Sequence, residues 1–135
     1  MQKRRLGRTG LEVSVLGYGA GAVGGLFTKG EARDQERAVA RAIEAGINYF
    51  DTAALYGNGE SERNLGRVLG KLKPNIVLGT KFRLKAADRA NVAAAVARCM
   101  DESLKRLNRN LVPSTMLGLS LPSTRPRLRS DSPLP

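Results

Sequence analysis

Three apolar runs, each followed by an amphipathic stretch, constrain the fold of this chain more than any other feature. The runs cover residues 13–20, 48–53 and 75–82, and their spacing of about 30 residues is that of a repeated βα unit. Continuous apolar runs are typical of strands covered on both faces, and such strands form parallel sheets. We therefore predict an α/β fold with three strand-then-helix units.

The segments between the runs carry helix signals. A capping-box pattern from Thr28 to Glu31 predicts the start of the first helix, and Gly46 predicts its end. The second helix is expected to end before Pro74, and Asp88 is expected to cap the third. The apolar faces predicted for the second and third helices are Leu65, Val68, Leu69 and Leu72, and Val92, Val96, Met100, Leu104 and Leu107.

The two ends of the chain differ from this regular part. A turn signal at Arg8-Thr9-Gly10 predicts a small N-terminal hairpin. Residues 108–135 hold five of the six prolines and no apolar repeat, which predicts an irregular, disordered tail after an ordered part at 1–107. Three parallel strands leave unpaired edges, so self-association through these edges is expected.

Composition narrows the partners and the compartment. The formal charge is +11, but the cations are scattered and only six aromatic residues accompany them. We therefore predict no specific nucleic-acid partner, and expect a basic surface that weakly attracts anions such as nucleotide phosphates. The single cysteine, Cys99, cannot form an internal disulfide, and no apolar run could span a membrane. A cytoplasmic protein without a metal site or membrane contact is the expectation.

A glycine pattern follows the first apolar run. Residues 19–24 read GAGAVG, which matches the G-x-G-x-x-G fingerprint of dinucleotide-binding turns. In that motif a helix opens at the glycines, whereas here the helix signal falls later, at Thr28. The glycines could equally serve backbone shape alone, or let a flat ligand approach the backbone.

Asp51, Tyr56 and Lys81 form a more specific set. Asp51 and Lys81 end the second and third runs, and parallel α/β folds place their reactive groups at the carboxyl ends of strands. An ammonium beside a phenol favours the phenolate, so Lys81 would make Tyr56 a better proton donor for a carbonyl undergoing reduction. From the spacing alone, a structural ion pair with a half-buried aromatic residue remains an alternative.

The sequence around these residues resembles a known family. The stretches "VSVLGYGAGAVGG", "NYFDTAALYGNGESERNLGRVLG" and "IVLGTKF" are similar to the N-terminal part of the aldo-keto reductases, over roughly residues 3–107. The resemblance implies part of a (β/α)8 TIM-type barrel with a hairpin below it. It also implies an oxidoreductase that uses NADP(H) to interconvert small-molecule carbonyls and alcohols, without a dinucleotide-binding turn.

The resemblance assigns roles to individual residues. It implies that Asp51, Tyr56 and Lys81 are catalytic, with Tyr56 protonating the carbonyl oxygen, Lys81 tuning Tyr56 and Asp51 holding Lys81. It also implies that Ala20, Gly21 and Asp51 lie at the cofactor. Ala20 and Gly21 stand where the family often has larger side chains, so the carbonyl substrate cannot be named from this loop.

One catalytic element of the family is missing from this sequence. The family places a histidine after its fourth strand, and the 135 residues contain no histidine. The switch to Pro, Ser and Arg after Leu107 suggests a frameshifted or truncated gene product. We therefore expect the chain alone to bind NADPH poorly and to reduce aldehydes at a negligible rate; the alternative is a noncatalytic barrel fragment.

Overall fold

The computed structural model describes residues 1–109, which form a hairpin and a parallel sheet with helices. In chain order the elements are β1 (Lys3–Arg5), β2 (Glu12–Ser14), β3 (Tyr18–Gly19), α1 (Leu26–Lys29), α2 (Ala32–Glu44), β4 (Tyr49–Asp51), α3 (Glu60–Leu72), β5 (Val77–Gly79), a 3-10 helix (Ala86–Ala90) and α4 (Val92–Leu107). The hairpin pairs β1 with β2, and the sheet has the parallel order β3-β4-β5. The prediction of an α/β fold is confirmed, and within residues 1–109 the sheet is open rather than a closed barrel.

The first apolar run, residues 13–20, was predicted to form one strand, and this prediction is wrong. Its beginning is the second arm of the hairpin, and its end is β3. The break follows Ser14, whose backbone N–H donates to the Asn48 side chain at 2.6 Å and whose hydroxyl donates to the Leu16 carbonyl at 2.6 Å. These bonds turn the chain between the hairpin and the sheet.

The predicted start of the first long helix is also wrong. Thr28 lies inside the short helix α1, where its hydroxyl donates to the Gly25 carbonyl, and α2 begins only at Ala32. Glu31 precedes α2 without a side-chain capping bond. The predicted end is confirmed, because Gly46 follows the helix with a φ of 84° that favours glycine.

Asp88 does not cap the third long helix. It belongs to the 3-10 helix, and Asn91 caps α4 by accepting a hydrogen bond from the backbone N–H of Ala94 at 3.0 Å. Asn and Asp are both good capping residues, so the sequence offered two candidates three residues apart.

The core lies between the sheet and helices α1 to α4. Its largest fully buried apolar side chains are Phe27, Phe50, Leu65, Leu69, Leu78 and Leu107. The predicted buried face of α3 is confirmed, because Leu65, Val68 and Leu69 are all 0% exposed.

Helix α4 is rotated relative to its predicted apolar face. Leu107 is 0% exposed, as the predicted face requires, but Ala95 and Ser103 are also buried and Val92 is 49% exposed. Helices α3 and α4 approach closely at Leu107, since a Cβ added to Gly66 would come within 2.5 Å of the Leu107 carbonyl oxygen.

The described residues contain no helix long and apolar enough to cross a membrane. The predicted disordered tail falls, apart from its first two residues, outside the described residues and stays a prediction.

Candidate active site

Asp51 and Lys81 meet at the carboxyl edge of the parallel sheet. Asp51 is the last residue of β4, and Lys81 follows β5 by two residues, in a register that pairs Asp51 with Gly79. The Lys81 Nζ lies 2.5 Å from Asp51 Oδ2, and each side chain is 31% exposed. The alternation of side chains along neighbouring strands thus places an ammonium against a carboxylate at the open mouth of the sheet.

Tyr56 lies on the same side of the molecule as this ion pair. It belongs to the connection between β4 and α3, is half-buried, and its ring centroid lies 5.5 Å from the Lys81 Nζ. The structure therefore brings together Asp51, Tyr56 and Lys81 from two adjacent connections. A phenol beside an ammonium that is fixed by a carboxylate can exchange a proton with a bound carbonyl or alcohol oxygen.

Buried hydroxyl groups hold the connection that carries Tyr56. Thr52 and Ser61 are both 0% exposed. The Ser61 hydroxyl donates to the Ala20 carbonyl at 2.6 Å, so Thr52 donates to Ser61 at 2.8 Å. The Ala54 backbone N–H also donates to the Lys81 carbonyl. These bonds join the ends of all three strands, and no sequence pattern pointed to them.

A buried ion pair lies behind the site. Glu62 is 0% exposed, accepts a hydrogen bond from the Thr80 hydroxyl at 2.6 Å, and pairs with Arg106 Nε at 2.5 Å. Thr80 directly precedes Lys81, so this pair ties α3 and α4 to the strand end that carries the lysine. The sequence held a signal for it, since Glu62 shares a helical face with Leu65 and Leu69.

A second tyrosine lies on the same strand face as Asp51. This residue is Tyr49, and two glycines leave space for its side chain. A Cβ added to Gly17 would lie 3.0 Å from the Tyr49 Cδ1, and one added to Gly79 would lie 2.8 Å from the Tyr49 hydroxyl. Burial raises the pKa of Tyr49, the Asp51 carboxylate raises it further, and Lys81 lowers it. No motif in the sequence pointed to Tyr49, although it stands two residues before Asp51 and so shares its side of the strand.

Ala20 and Gly21, the two residues of the first loop that were predicted to contact the cofactor, differ in their surroundings. Ala20 is 1% exposed, its N–H donates to the Asp51 carbonyl, and its carbonyl accepts from Ser61. Both backbone groups of Ala20 are therefore already hydrogen-bonded. Gly21 is half-buried, and a Cβ there would lie 4.0 Å from Tyr56 Cε2, so Gly21 offers bare backbone beside the phenol.

The glycine fingerprint does not open a long helix. Gly24 and Gly25 adopt positive φ angles of 78° and 73°, and the helix that follows has only four residues. These glycines serve a turn, which excludes the dinucleotide-binding turn for this loop.

No metal centre accompanies the site in the described part of the chain. Residues 1–109 contain no group of three or more His, Cys, Asp or Glu side chains arranged to hold a metal ion.

Comparisons with known proteins support the resemblance over most of the described chain. The sequence model of the Aldo/keto reductase family matches residues 15–113. A pyridoxal 4-dehydrogenase from Microbacterium luteolum is 40% identical over 90 residues, which are 66% of this chain and 26% of that protein. An L-galactose dehydrogenase from Arabidopsis thaliana is 36% identical over 115 residues, which are 83% of this chain and 36% of that protein.

Solved structures give the same result. An aldo-keto reductase from Bacillus halodurans, in its holo form, matches with a TM-score of 0.67 and 31% identity, over 87% of this chain and 40% of that one. One from Klebsiella pneumoniae in complex with NADPH matches with a TM-score of 0.64 and 28% identity, over 80% and 36%. The chain thus spans less than half the length of the relatives that it matches, and on the family match and these relatives it belongs to the aldo-keto reductase family.

Proposed function

We propose that the chain carries the proton-transfer part of an NADP(H)-dependent carbonyl reductase site. The observation that carries this proposal is the position of the Lys81 ammonium, which contacts the Asp51 carboxylate and lies 5.5 Å from the Tyr56 ring centroid. A structural ion pair would not require a phenol beside the lysine.

The three side chains would divide the chemistry between them. The Tyr56 hydroxyl donates a proton to the carbonyl oxygen, and the Lys81 ammonium stabilises the phenolate that results. The Asp51 carboxylate fixes the ammonium in place. In the direction of alcohol oxidation, Tyr56 accepts the proton. NADPH, when bound, supplies the hydride to the carbonyl carbon.

The described residues fit the ring end of such a cofactor. A flat ring beside Tyr56 needs a wall without side chains, and Gly21 provides bare backbone there. The NADPH complex of the Klebsiella pneumoniae relative supports the choice of cofactor. Ala20 would act only indirectly, as an anchor for the Asp51 backbone carbonyl and the Ser61 hydroxyl.

We further propose that the chain alone binds NADPH weakly and reduces aldehydes at a negligible rate. Micromolar affinity requires about 8 kcal/mol, and the described residues offer one bare wall and one charged pair. The sequence also contains no histidine to orient the carbonyl.

The alternative function is that of a noncatalytic barrel fragment. In residues 1–109 the outer edges of β3 and β5 have no strand partner, and such edges promote self-association. Size-exclusion chromatography with NADPH fluorescence separates the two functions: a defined assembly that quenches NADPH supports the reductase, and aggregation without quenching supports the fragment. For either function we propose the cytoplasm, a reducing compartment that suits the free Cys99 thiol.

A chimera tests the proton-transfer role directly. Residues 1–109 replace the matching part of the Bacillus halodurans reductase, and aldehyde-dependent NADPH oxidation is measured. We expect activity, and a loss of about 100-fold or more in Tyr56→Phe, because general-acid catalysis contributes that much. Tyr18→Phe, which removes the same hydroxyl from a tyrosine packed against Phe27 and Phe50, serves as the matched control. A folded chimera in which Tyr56→Phe keeps full activity contradicts the proposal.

A further inference from the structure

A cavity lies next to the candidate active site but is not lined by Asp51, Tyr56 or Lys81. Its volume is about 230 Å³, and its walls come from segments 54–58 and 82–88 and from α4. The first segment carries Tyr56, and the second directly follows Lys81. The cavity therefore shares both catalytic connections while facing different side chains.

Basic side chains outnumber acidic ones in the walls of this cavity. Four basic side chains line it, against the two carboxylates Asp88 and Glu102; the basic residues are Arg83, Lys85, Arg98 and Arg106. These side chains are part of a chain whose formal charge is +11. Such a concave, cationic surface concentrates small anions.

Ion pairs inside the cavity leave two of these cations available. Arg98 pairs with Asp88 at 2.7 Å, and Arg106 pairs with the buried Glu62. Asp88 also accepts the Lys85 backbone N–H at 2.6 Å, and that bond, with Arg98, holds the pKa of Asp88 below its ordinary value. Arg83 and the Lys85 ammonium have no ion-pair partner within residues 1–109.

The pairing also fixes the cavity in shape. Asp88 holds Arg98 on α4 against the 3-10 helix, and Glu62 holds Arg106 against α3. The apolar side chains of Leu55 and Phe82 complete the wall. A fixed cavity with an uncompensated guanidinium, an ammonium and an apolar side suits a doubly charged oxyanion, since arginine binds phosphate in a forked geometry and lysine binds it as a point charge.

We propose that this cavity is a binding site for a phosphate group, either inorganic phosphate or the phosphate of a small ester. Arg83 and Lys85 bind the phosphate oxygens, and Leu55 and Phe82 contact the organic part of an ester. The site does not depend on carbonyl reduction, so it stands or fails independently of the proposed function.

Cys99 supplies a local reporter for this site, because it is the only cysteine in the chain and lines the cavity. Alkylation of the full chain by iodoacetamide, which is neutral, is followed by mass spectrometry at constant ionic strength. Inorganic phosphate and glycerol 1-phosphate are titrated separately, with chloride as the reference. We expect the alkylation rate to fall saturably with at least one of the two.

The variant Arg83→Gln with Lys85→Gln removes the two available cations. We expect the half-saturating phosphate concentration to rise about tenfold or more, as for the loss of charge-assisted hydrogen bonds. The control Lys3→Gln with Arg4→Gln removes the same charges from the exposed hairpin and should leave the titration unchanged. Protection by the ester but not by free phosphate, or the reverse, identifies the source of the phosphate group.

Three results would contradict the proposal of a phosphate-binding site in this cavity. The first is no protection by either phosphate compound, and the second is equal protection of the wild type and the cavity variant. The third is equal weakening in the cavity and hairpin variants, which would show attraction to net charge alone. Circular dichroism of both variants confirms that each is folded before the comparison is made.

Discussion

Two connections leave the same edge of the parallel sheet, and they are built in opposite ways. Residues 20–25 lead from β3 to α1, and residues 52–59 lead from β4 to α3. In the second, Thr52 and Ser61 form a buried hydroxyl pair that also reaches the carbonyl of Ala20. In the first, Val23 is 100% exposed, and Gly24 has no atom within 4 Å of where a Cβ would lie.

The difference separates two tasks at the sheet edge. In the proposed function, proton transfer requires Tyr56 at a fixed distance from Lys81, and the packed second connection would provide it. A flat ligand requires bare backbone and space, and the open first connection provides both. Substitutions that act on one connection and spare the other test this division.

The largest expected effect comes from the buried charge beneath the packed connection. Glu62→Ala removes the buried carboxylate that pairs with Arg106 and accepts from the Thr80 hydroxyl, and Arg106 keeps only Ser103 and the exposed Glu102. Breaking a buried pair in this way should lower the free energy of unfolding by about 3–5 kcal/mol. Urea denaturation followed by circular dichroism measures this loss.

Glu60→Ala is the matched control for that substitution. Glu60 lies in the same helical turn, but its pair with Arg63 is exposed, with side chains 47% and 49% accessible. Exposed pairs contribute about 1 kcal/mol or less. Equal losses in the two variants would show that the buried pair does not stabilise the packed connection.

A pair of glycine substitutions compares the two connections directly. Gly57→Ala combines a positive φ of 60° with a Cβ placed 2.8 Å from Thr28 Cγ2, whereas Gly24→Ala has a φ of 78° and open space. Strain at positive φ costs about 1–2 kcal/mol in both, and overpacking adds about 1–3 kcal/mol at Gly57 alone. Thermal and urea unfolding should show a larger loss of stability for Gly57→Ala than for Gly24→Ala, and the reverse order would contradict the comparison.

The sequence predicted the second connection better than the first, for a physical reason. Apolar periodicity located α3, and strand ends located Asp51 and Lys81, because both signals depend on local burial. The start of α2 at Ala32 and the capping of α4 by Asn91 were mispredicted, because several polar residues could cap each helix. Glu62 and Tyr49 were missed although their spacing placed them on the faces of Leu65 and Asp51, because their contacts come from residues distant in sequence.

Removal of one buried hydroxyl should have a smaller effect. Ser61→Ala deprives the Thr52 hydroxyl and the Ala20 carbonyl of their shared partner, and such a loss costs about 1–3 kcal/mol. Thr28→Ser is the control, because it keeps the hydroxyl group that donates to the Gly25 carbonyl at the end of the open first connection. If Ser61→Ala is no less stable than the wild type, the hydroxyl pair does not hold the second connection.

The smallest expected effect is electrostatic and distinguishes the strands that precede the two connections. Burial alone raises the pKa of Tyr18 on β3, whereas burial and the Asp51 carboxylate raise the pKa of Tyr49 on β4 and Lys81 lowers it. Asp51→Asn removes a raising charge and keeps the lowering one. The pKa of Tyr49 should therefore fall while that of Tyr18 stays unchanged, which carbon NMR of the labelled tyrosine rings measures in an alkaline titration.

The same shift has a defined consequence for stability. The pKa of Tyr49 is higher in the folded chain than its ordinary value of 10.0. The contribution of Tyr49 to stability is therefore complete below pH 10.0 and is lost as the pH rises through the pKa of the folded chain. Asp51→Asn should reduce the alkaline loss of stability that comes from Tyr49, whereas Tyr49→Phe should abolish that part and leave the part that comes from Tyr18. An equal change at Tyr18 and Tyr49 would mean that the Asp51 charge acts on both strands alike, and the electrostatic distinction between the two connections would then fail.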